Sequence, residues 1–443
     1  MKKYILTLSF FAFSIVVKAQ EQSQQLSLDE AINYALENSY NAIAAKNDSK
    51  VAKEIVWETT TIGLPKIDAA VDYQNFLKQP ITVADINGDG VDEEFVFGTK
   101  QNVNANVTLT QLLFDGSYLV GLQSAKTFLK ISEQAEEKTA LLTREAVINA
   151  YGNILVTEKK IEILKRNKEV NRRILREARA GYENGLTELE DVEQFEIIEG
   201  TIENNIRASI RLRDIAYKML NIALGNPTNT TLTLTDSLES LVLKNTNLNL
   251  LVQDFNLNNH IDYRIAENDR ETKRLMVQLE KSKSLPRLSA FINYGTQGFS
   301  NNFSFFNSTQ SWFQSSLLGV SLNVPIFSSF GRKAKTAQAK INLETADMRL
   351  QETKQKLNLA AESAKSDYQL SIDNYQTAKK NLNLAERIEK KQQIKFNEGI
   401  TTSFDLLQAQ NQLYTQQNNF VQSMLNIIAK KATLENALNI PVK

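Results

Sequence analysis

The 443-residue chain carries one plan twice, and that duplication limits its possible folds more than any other feature. Leu64-Pro65-Lys66-Ile67-Asp68-Ala69-Ala70-Val71-Asp72-Tyr73 is matched by Leu285-Pro286-Arg287-Leu288-Ser289-Ala290-Phe291-Ile292-Asn293-Tyr294. Val107-Thr108-Leu109 through Phe114 returns as Val320-Ser321-Leu322 through Phe327. Tyr182-Glu183-Asn184-Gly185-Leu186-Thr187 returns as Phe396-Asn397-Glu398-Gly399-Ile400-Thr401, and Leu220-Asn221-Ile222-Ala223-Leu224 as Leu434-Glu435-Asn436-Ala437-Leu438. Each half reads helix, strand, strand, long helix, tight turn, helix. The first repeat is expected over 20–225 and the second over 261–443. Between them, at 226–260, Asn226-Pro227 and a Thr/Asn-rich run break the helical pattern.

Four segments alternate with period two, which puts apolar residues on one face of a strand and polar ones on the other. Strands are expected near 66–76, 102–113, 287–295 and 316–325. Ile67, Ala69, Val71 and Tyr73 alternate with Asp68, Ala70, Asp72 and Gln74; Val103, Ala105, Val107 and Leu109 with Asn102, Asn104, Asn106 and Thr108. In the second half Leu288, Ala290, Ile292 and Tyr294 alternate with Arg287, Ser289, Phe291 and Asn293. Leu318, Val320, Leu322 and Val324 do so with Gly319, Ser321 and Asn323. A soluble sheet with one face on a core has this pattern too. The aromatics Tyr73, Phe76, Phe114, Tyr294, Trp312, Phe313 and Phe327, expected at or just beyond strand ends, favour a transmembrane β-barrel, polar inside and apolar outside. Four strands cannot enclose a lumen, and open sheet edges are not tolerated in lipid. Strands that span a membrane here therefore require several chains to share one barrel.

Between the strand pairs and the tight turns lie two long helical runs. Gly116 to Glu183 has no proline, and Arg332 to Asn397 has neither proline nor glycine. At 1.5 Å per residue each is on the order of 100 Å of helix. Narrow apolar stripes such as Leu122, Ala125 and Leu129, or Val147, Tyr151 and Ile154, suggest coiled-coil-like neighbours and at least one wet face. Both runs should turn back at glycine, near 184–187 and 398–402. The next helix should open on a capping box at Thr187-Glu188-Leu189-Glu190 and again at Thr402-Ser403-Phe404-Asp405. These tips should lie at the end farthest from the strands. Asp191 and Asp405 occupy matching first-turn positions. A first-turn carboxylate offsets the helix dipole; gathered by symmetry, Asp405 could also form a cation-binding ring.

Lys2 and Lys3 followed by the apolar run Tyr4–Val17 and Val17-Lys18-Ala19 read as an export signal over 1–19, cleaved before Gln20. The absence of Cys excludes disulfides, thiolate metal sites, Cys nucleophiles and a lipidated Cys. The single histidine, His260 beside Asn258 and Asn259, reads as a surface or cap residue, and no catalytic constellation is visible. The balance of 51 basic and 51 acidic residues argues against nucleic acid as a partner.

These features together resemble the TolC family of outer-membrane efflux and secretion factors, over nearly the whole mature chain. The resemblance rests on Leu26-Ser27-Leu28-Asp29-Glu30-Ala31-Ile32-Asn33-Tyr34-Ala35-Leu36-Glu37-Asn38 and the two Leu-Pro strand starts. It rests also on Leu112-Leu113-Phe114-Asp115-Gly116, Val324-Pro325-Ile326-Phe327 and Asn397-Glu398-Gly399-Ile400-Thr401-Thr402-Ser403-Phe404-Asp405-Leu406-Leu407. It implies an α+β membrane protein with an internal two-fold repeat. A transmembrane β-barrel would be shared between three protomers, above a long-helix α-barrel that crosses the periplasm, with 226–260 as an equatorial segment. It implies a homotrimer in outer-membrane lipid, passing substrates from an inner-membrane pump of RND or ABC type through a periplasmic adaptor, with no cofactor and no enzymatic step. The family's second tip is followed by two aspartates three residues apart that constrict the entrance. Asp405 matches the first, Gln408 replaces the second, and a gate arginine of the family falls on Thr401. By the same resemblance, Gly185, Leu186, Thr187, Gly399, Ile400 and Thr401 would dock the adaptor.

Asp85-Ile86-Asn87-Gly88-Asp89-Gly90 spaces oxygen ligands as calcium loops do, with Asp85, Asn87 and Asp89 as the candidate ligands. The twelfth position is Val96 rather than Glu. The competing readings are an acidic, turn-rich external loop at this segment and, for the whole chain, a coiled-coil structural or adhesive cell-surface protein.

Overall fold

The structure, a computed structural model, describes residues 24–85, 88, 90, 92–246 and 248–441. The candidate leader at 1–19 lies outside them. The first half holds β1 (Gln24–Leu26), α1 (Leu28–Asn38), α2 (Tyr40–Thr61), β2 (Lys66–Asn75), β3 (Ile81–Ala84), β4 (Glu93–Val96), β5 (Gln101–Asp115), α3 (Gly116–Glu183) and α4 (Leu189–Leu224). After it come β6 (Leu232–Leu234), α5 (Leu238–Asn245), two 3₁₀ turns, α6 (Ile261–Ser282), β7 (Arg287–Ser300), β8 (Trp312–Asn323), α7 (Gly331–Asn397) and α8 (Ser403–Ala437). The repeat is visible in the lengths: α2 and α6 each have 22 residues, and α3 and α7 have 68 and 67. Pro65 and Pro286 follow α2 and α6; neither can donate to a continuing helix, so each chain segment enters its strand there.

One compact unit comprises Ala45–Glu137 and Leu257–Lys356. Its centre is a four-stranded antiparallel sheet in the order β2-β5-β7-β8. The register aligns the alternation of all four strands. Ile67 sits opposite Leu109, Leu109 opposite Ile292, and Ile292 opposite Leu318, an apolar row across the sheet. The adjacent row, Asp68–Thr108–Asn293, points to the other face, where the Asn293 amide donates to Thr108 Oγ1 at 2.7 Å. A one-residue slip at any pairing would scramble both faces. The apolar face lies open: Val71 is 72 % exposed, Leu318 71 % and Leu322 62 %.

Several elements differ from the sequence expectation. A bulge at Leu113 adds a residue to β5, which returns Phe114 to the apolar face opposite Leu288. β7 runs on to Ser300 because both β5 and β8 continue to pair with it, so Tyr294 lies inside the strand rather than at its end. β8 starts earlier, at Trp312, and stops at Asn323, just before Val324-Pro325, where proline has no N–H to give a ladder. The segment read as an acidic loop holds the β3–β4 ladder, Ile81 opposite Val96 through Ala84 opposite Glu93.

The second unit comprises, among the described residues, 24–44, 138–246, 248–256 and 357–441. Its core gathers Val147, Tyr151 and Ile154 of α3, Leu220 and Leu224 of α4, Tyr368 and Ile372 of α7, and Met424, Ile427 and Ile428 of α8. The inter-repeat segment packs on this core. β6 pairs in parallel with β1, and the Tyr151 hydroxyl donates to Leu26 O at 3.0 Å. Burial raises the Tyr151 pKa to about 12, which keeps the donor proton in place. The Tyr368 hydroxyl donates to Asn245 O at 2.6 Å. His260 caps α6, accepting at Nδ1 from the Asp262 N–H, and is buried rather than at the surface. No helix among the described residues is long and apolar enough to cross a membrane.

Candidate functional site

Both long helices end in the same turn. Gly185 and Gly399 adopt left-handed backbone, φ 72° and 70°. Leu186 N–H reaches back to Gly181 O at 2.8 Å, and Ile400 N–H to Lys395 O at 2.8 Å. Gly185 N–H donates to Tyr182 O and Gly399 N–H to Phe396 O, each at 3.0 Å, so each tip is a Schellman motif. The residue after the glycine normally packs on the side chain five positions earlier. Here those positions hold Gly181, which has no side chain, and Lys395, whose side chain ends in a charge, and Leu186 and Ile400 stand 81 % and 72 % exposed.

Beneath the tips a small core of Ile174, Leu175, Ala178, Val192, Phe195 and Leu406 holds the two hairpins together, with Phe195 and Phe396 in edge contact at 5.8 Å. Between them opens a cleft of about 870 Å³. Its rim carries the carboxylates Glu177, Glu188, Asp191 and Glu398 together with Thr187, Thr401 and Thr402. The structure thus brings Asp191, Thr187, Gly399 and Thr401 to one cleft; Asp405 joins them through Thr401, and Gln408, exposed on α8, stands apart.

The two capping signals end differently. At the second tip Thr402 caps α8, accepting from Asp405 N–H at 3.3 Å. Asp405 Oδ2 accepts from the Thr401 and Thr402 hydroxyls at 2.7 and 3.0 Å, and these bonds hold its pKa below the usual aspartate value. The first tip does not form the expected capping box. Its N-cap is Glu188, without a side-chain bond, because the Thr187 hydroxyl turns back to Ala178 O at 3.1 Å.

Sequence reading missed two features here. The first hairpin is laced by ion pairs: Arg172 to Glu199 at 2.7 Å, and also Lys168 to Glu203 and Arg179 to Glu196. The spacing 168, 172, 179 against 196, 199, 203 was the available signal. Among the described residues the second hairpin has one such pair, Lys430 to Asp367 at 2.7 Å, away from its tip, and a buried amide nearer the tip. Gln410 is 1 % exposed, and neither polar atom of its side chain has a hydrogen-bond partner among the described residues. Asn171 of α3 donates to Phe195 O of α4 at 3.0 Å and Asn167 of α3 to Gln417 of α8 at 2.8 Å, while burial raises the pKa of Glu389 and Tyr414. At the candidate calcium loop, Asp85 accepts from Gly88 and Gly90 N–H at 2.7 and 2.9 Å. Asn87 and Asp89 lie outside the described residues.

The family model described as outer membrane efflux protein matches residues 83–225 and 254–439, one stretch in each repeat. The chain belongs to the outer membrane efflux protein family. Its sequence is 21 % identical over 429 residues to the outer membrane protein TolC of Vibrio cholerae, covering 93 % of this chain and 90 % of that one. Its fold is similar to the outer membrane protein VceC of Vibrio cholerae, with a TM-score of 0.73 at 16 % identity over 94 % of this chain and 97 % of the other. The Campylobacter jejuni CmeC outer membrane channel gives the same TM-score at 16 % identity, over 93 % and 85 %. As a member of this TolC-like family the protein is an outer-membrane efflux channel component that extends into the periplasm, and the family is one of passive channels. Channels of this family are trimeric components of tripartite pumps.

Proposed function

We propose that three copies of this chain pool their sheets into one twelve-stranded barrel and their helices into a periplasmic duct. This duct passes substrates handed over by an inner-membrane pump of RND or ABC type through a periplasmic adaptor. The observation that carries the reading is the sheet: four strands in one register, an exposed apolar face, and two free edges, β2 and β8. Free edges cost several kcal/mol per unpaired group in lipid, and pairing β8 of one copy with β2 of the next removes them. In this reading the exposed Leu186 and Ile400, with the acidic cleft between them, form the adaptor's landing site. The second hairpin is the part that moves at the entrance, since it carries the unpartnered Gln410 near its tip and its α7–α8 ion pair, Lys430–Asp367, lies well away from the tip. Arg179–Glu196 and Arg172–Glu199, by contrast, hold the first hairpin close to its turn. Asp405 lies on that moving hairpin and contributes negative charge to the entrance, with Thr401 and Gln408 in place of the family's other gate residues.

The test is purification in detergent followed by planar-bilayer recording. A detergent-requiring trimer that conducts ions is expected. A water-soluble elongated oligomer without conductance would mean a coiled-coil surface protein instead. Asp405→Ala is expected to weaken block by a trivalent cation, and unchanged block would remove Asp405 from the entrance.

A further inference from the structure

The four strands all end toward their helices at one edge of the sheet, where Asp115 faces Arg287 and Arg287 faces Asn323. In an outer-membrane barrel whose helices extend into the periplasm, that edge meets the inner, phospholipid leaflet. At this edge the end of α6, the linker 324–330 and the start of α7 line an open surface cavity of about 550 Å³. Four of its lining residues are cationic, Lys281, Arg332, Lys333 and Lys340, and no carboxylate lines it. The rest of the lining is three hydroxyls, Ser284, Ser328 and Thr336, beside Ala337 and an exposed apolar and aromatic group: Ile326 is 89 % exposed, and Phe327 and Phe330 stand edge to face at 5.9 Å.

We propose that this cavity holds the phosphate headgroup of an anionic glycerophospholipid of the inner leaflet. Three observations select that occupant. The first is charge: four cations with no acid among them make a site for a phosphate and repel a basic segment. The second is continuity, since Leu318, Val320, Leu322 and Val324 run down one exposed face of β8 to Ile326, so acyl chains lying on the strand end at the cavity. The third is the aromatic pair beside the cations, the combination that suits the boundary between headgroups and hydrocarbon. The cations divide the work. Arg332 donates to the carbonyls of Pro325 and Ile326 at 3.1 and 3.3 Å and so fixes the linker. Lys281, Lys333 and Lys340 are exposed on the surrounding helix surfaces and supply the charge that attracts the phosphate.

The proposal rests on the strands being embedded in lipid. It is tested on the detergent-purified full-length assembly by native mass spectrometry, with added phosphatidylglycerol, phosphatidylcholine or glycerol 3-phosphate. Wild type is expected to retain phosphatidylglycerol over phosphatidylcholine, with no competition from glycerol 3-phosphate. Affinity should fall about fivefold for each of Lys281→Gln, Lys333→Gln and Lys340→Gln. Phe327→Ala should weaken both lipids. Arg332 is left intact, because its loss would disturb the linker itself. Lysine variants that keep wild-type lipid retention would overturn the proposal. So would equal competition by glycerol 3-phosphate, which would mark a free-anion site, or dissociation of the lysine variants into monomers, which would mark a contact between copies. If wild type binds both lipids without preference, this inference fails alone. If it needs no detergent and binds neither, the membrane reading fails with it.

Discussion

At the residue scale, Asp405 carries two demands. One carboxylate oxygen already takes two threonine hydroxyls at the start of α8, while the entrance reading needs its negative charge at the mouth. These demands agree, because both require the ionised form. The Thr401 bond, then the Thr402 bonds, hold the pKa below the ordinary aspartate value. A lowered folded-state pKa contributes stability that is present above the unfolded value of about 3.9 and is lost as pH falls through the lower folded value. Asp405→Asn is therefore expected to speed hydrogen exchange in the tip peptide 399–410 at neutral pH. That difference should close only as the pH is taken below about 3.9. Equal exchange in wild type and variant at pH 7 would show that the cap contributes nothing. The position was legible from the sequence, since the two halves align there. Its partners were not fully legible, because a Thr-x-x-Asp signal does not say which hydroxyl turns toward which oxygen. Thr187 illustrates this: the matching signal at the first tip is spent on Ala178 O.

At the element scale, the two hairpins share a turn and differ in packing. Periodicity located the strands and helices because burial on one face writes itself into spacing. The helical run read between the strand end at Asp115 and the glycine turn at Gly185 is the one observed, α3 over Gly116–Glu183. The bulge at Leu113 and the parallel β1–β6 pair left no such trace, since each depends on which strand lies opposite. The same holds for Gln410, whose sequence neighbours do not disclose that both its polar atoms are buried without a partner among the described residues. A buried amide without partners costs about 1–3 kcal/mol. Gln410→Leu, close in volume, is expected to stabilise the observed packing of the hairpins by about 1–2 kcal/mol. It should raise the thermal midpoint in detergent and reduce spontaneous openings in bilayers. A lower midpoint would mean that Gln410 finds its partners in a neighbouring copy, and the layer would then be an interface rather than a weakness in the second hairpin.

At the scale of the whole molecule, one sheet asks for two solvents. Its apolar face is exposed along β2 and β8, while its other face presents Asn102, Asn104, Asn106 and Thr108 from β5. A soluble sheet would bury the apolar face under a layer of the same chain, and Val71, Leu318 and Leu322 are left uncovered. A barrel wall places lipid on one side and water on the other, and the two faces then answer differently to the same charge. Leu318→Lys, near the middle of β8, is expected to destabilise the assembled protein by about 3 kcal/mol, the cost of a lysine at mid-membrane. Asn104→Lys, on the other face of β5, should leave stability within about 0.5 kcal/mol and shift conductance toward anions. Heat resistance of the detergent-purified assembly and reversal potentials in salt gradients measure the two effects. The reverse pattern, with Leu318→Lys tolerated and Asn104→Lys disruptive, would put water outside and a packed core inside. The strands would then belong to a closed soluble sheet, and the free edges of β2 and β8 would need another cover than a neighbouring copy.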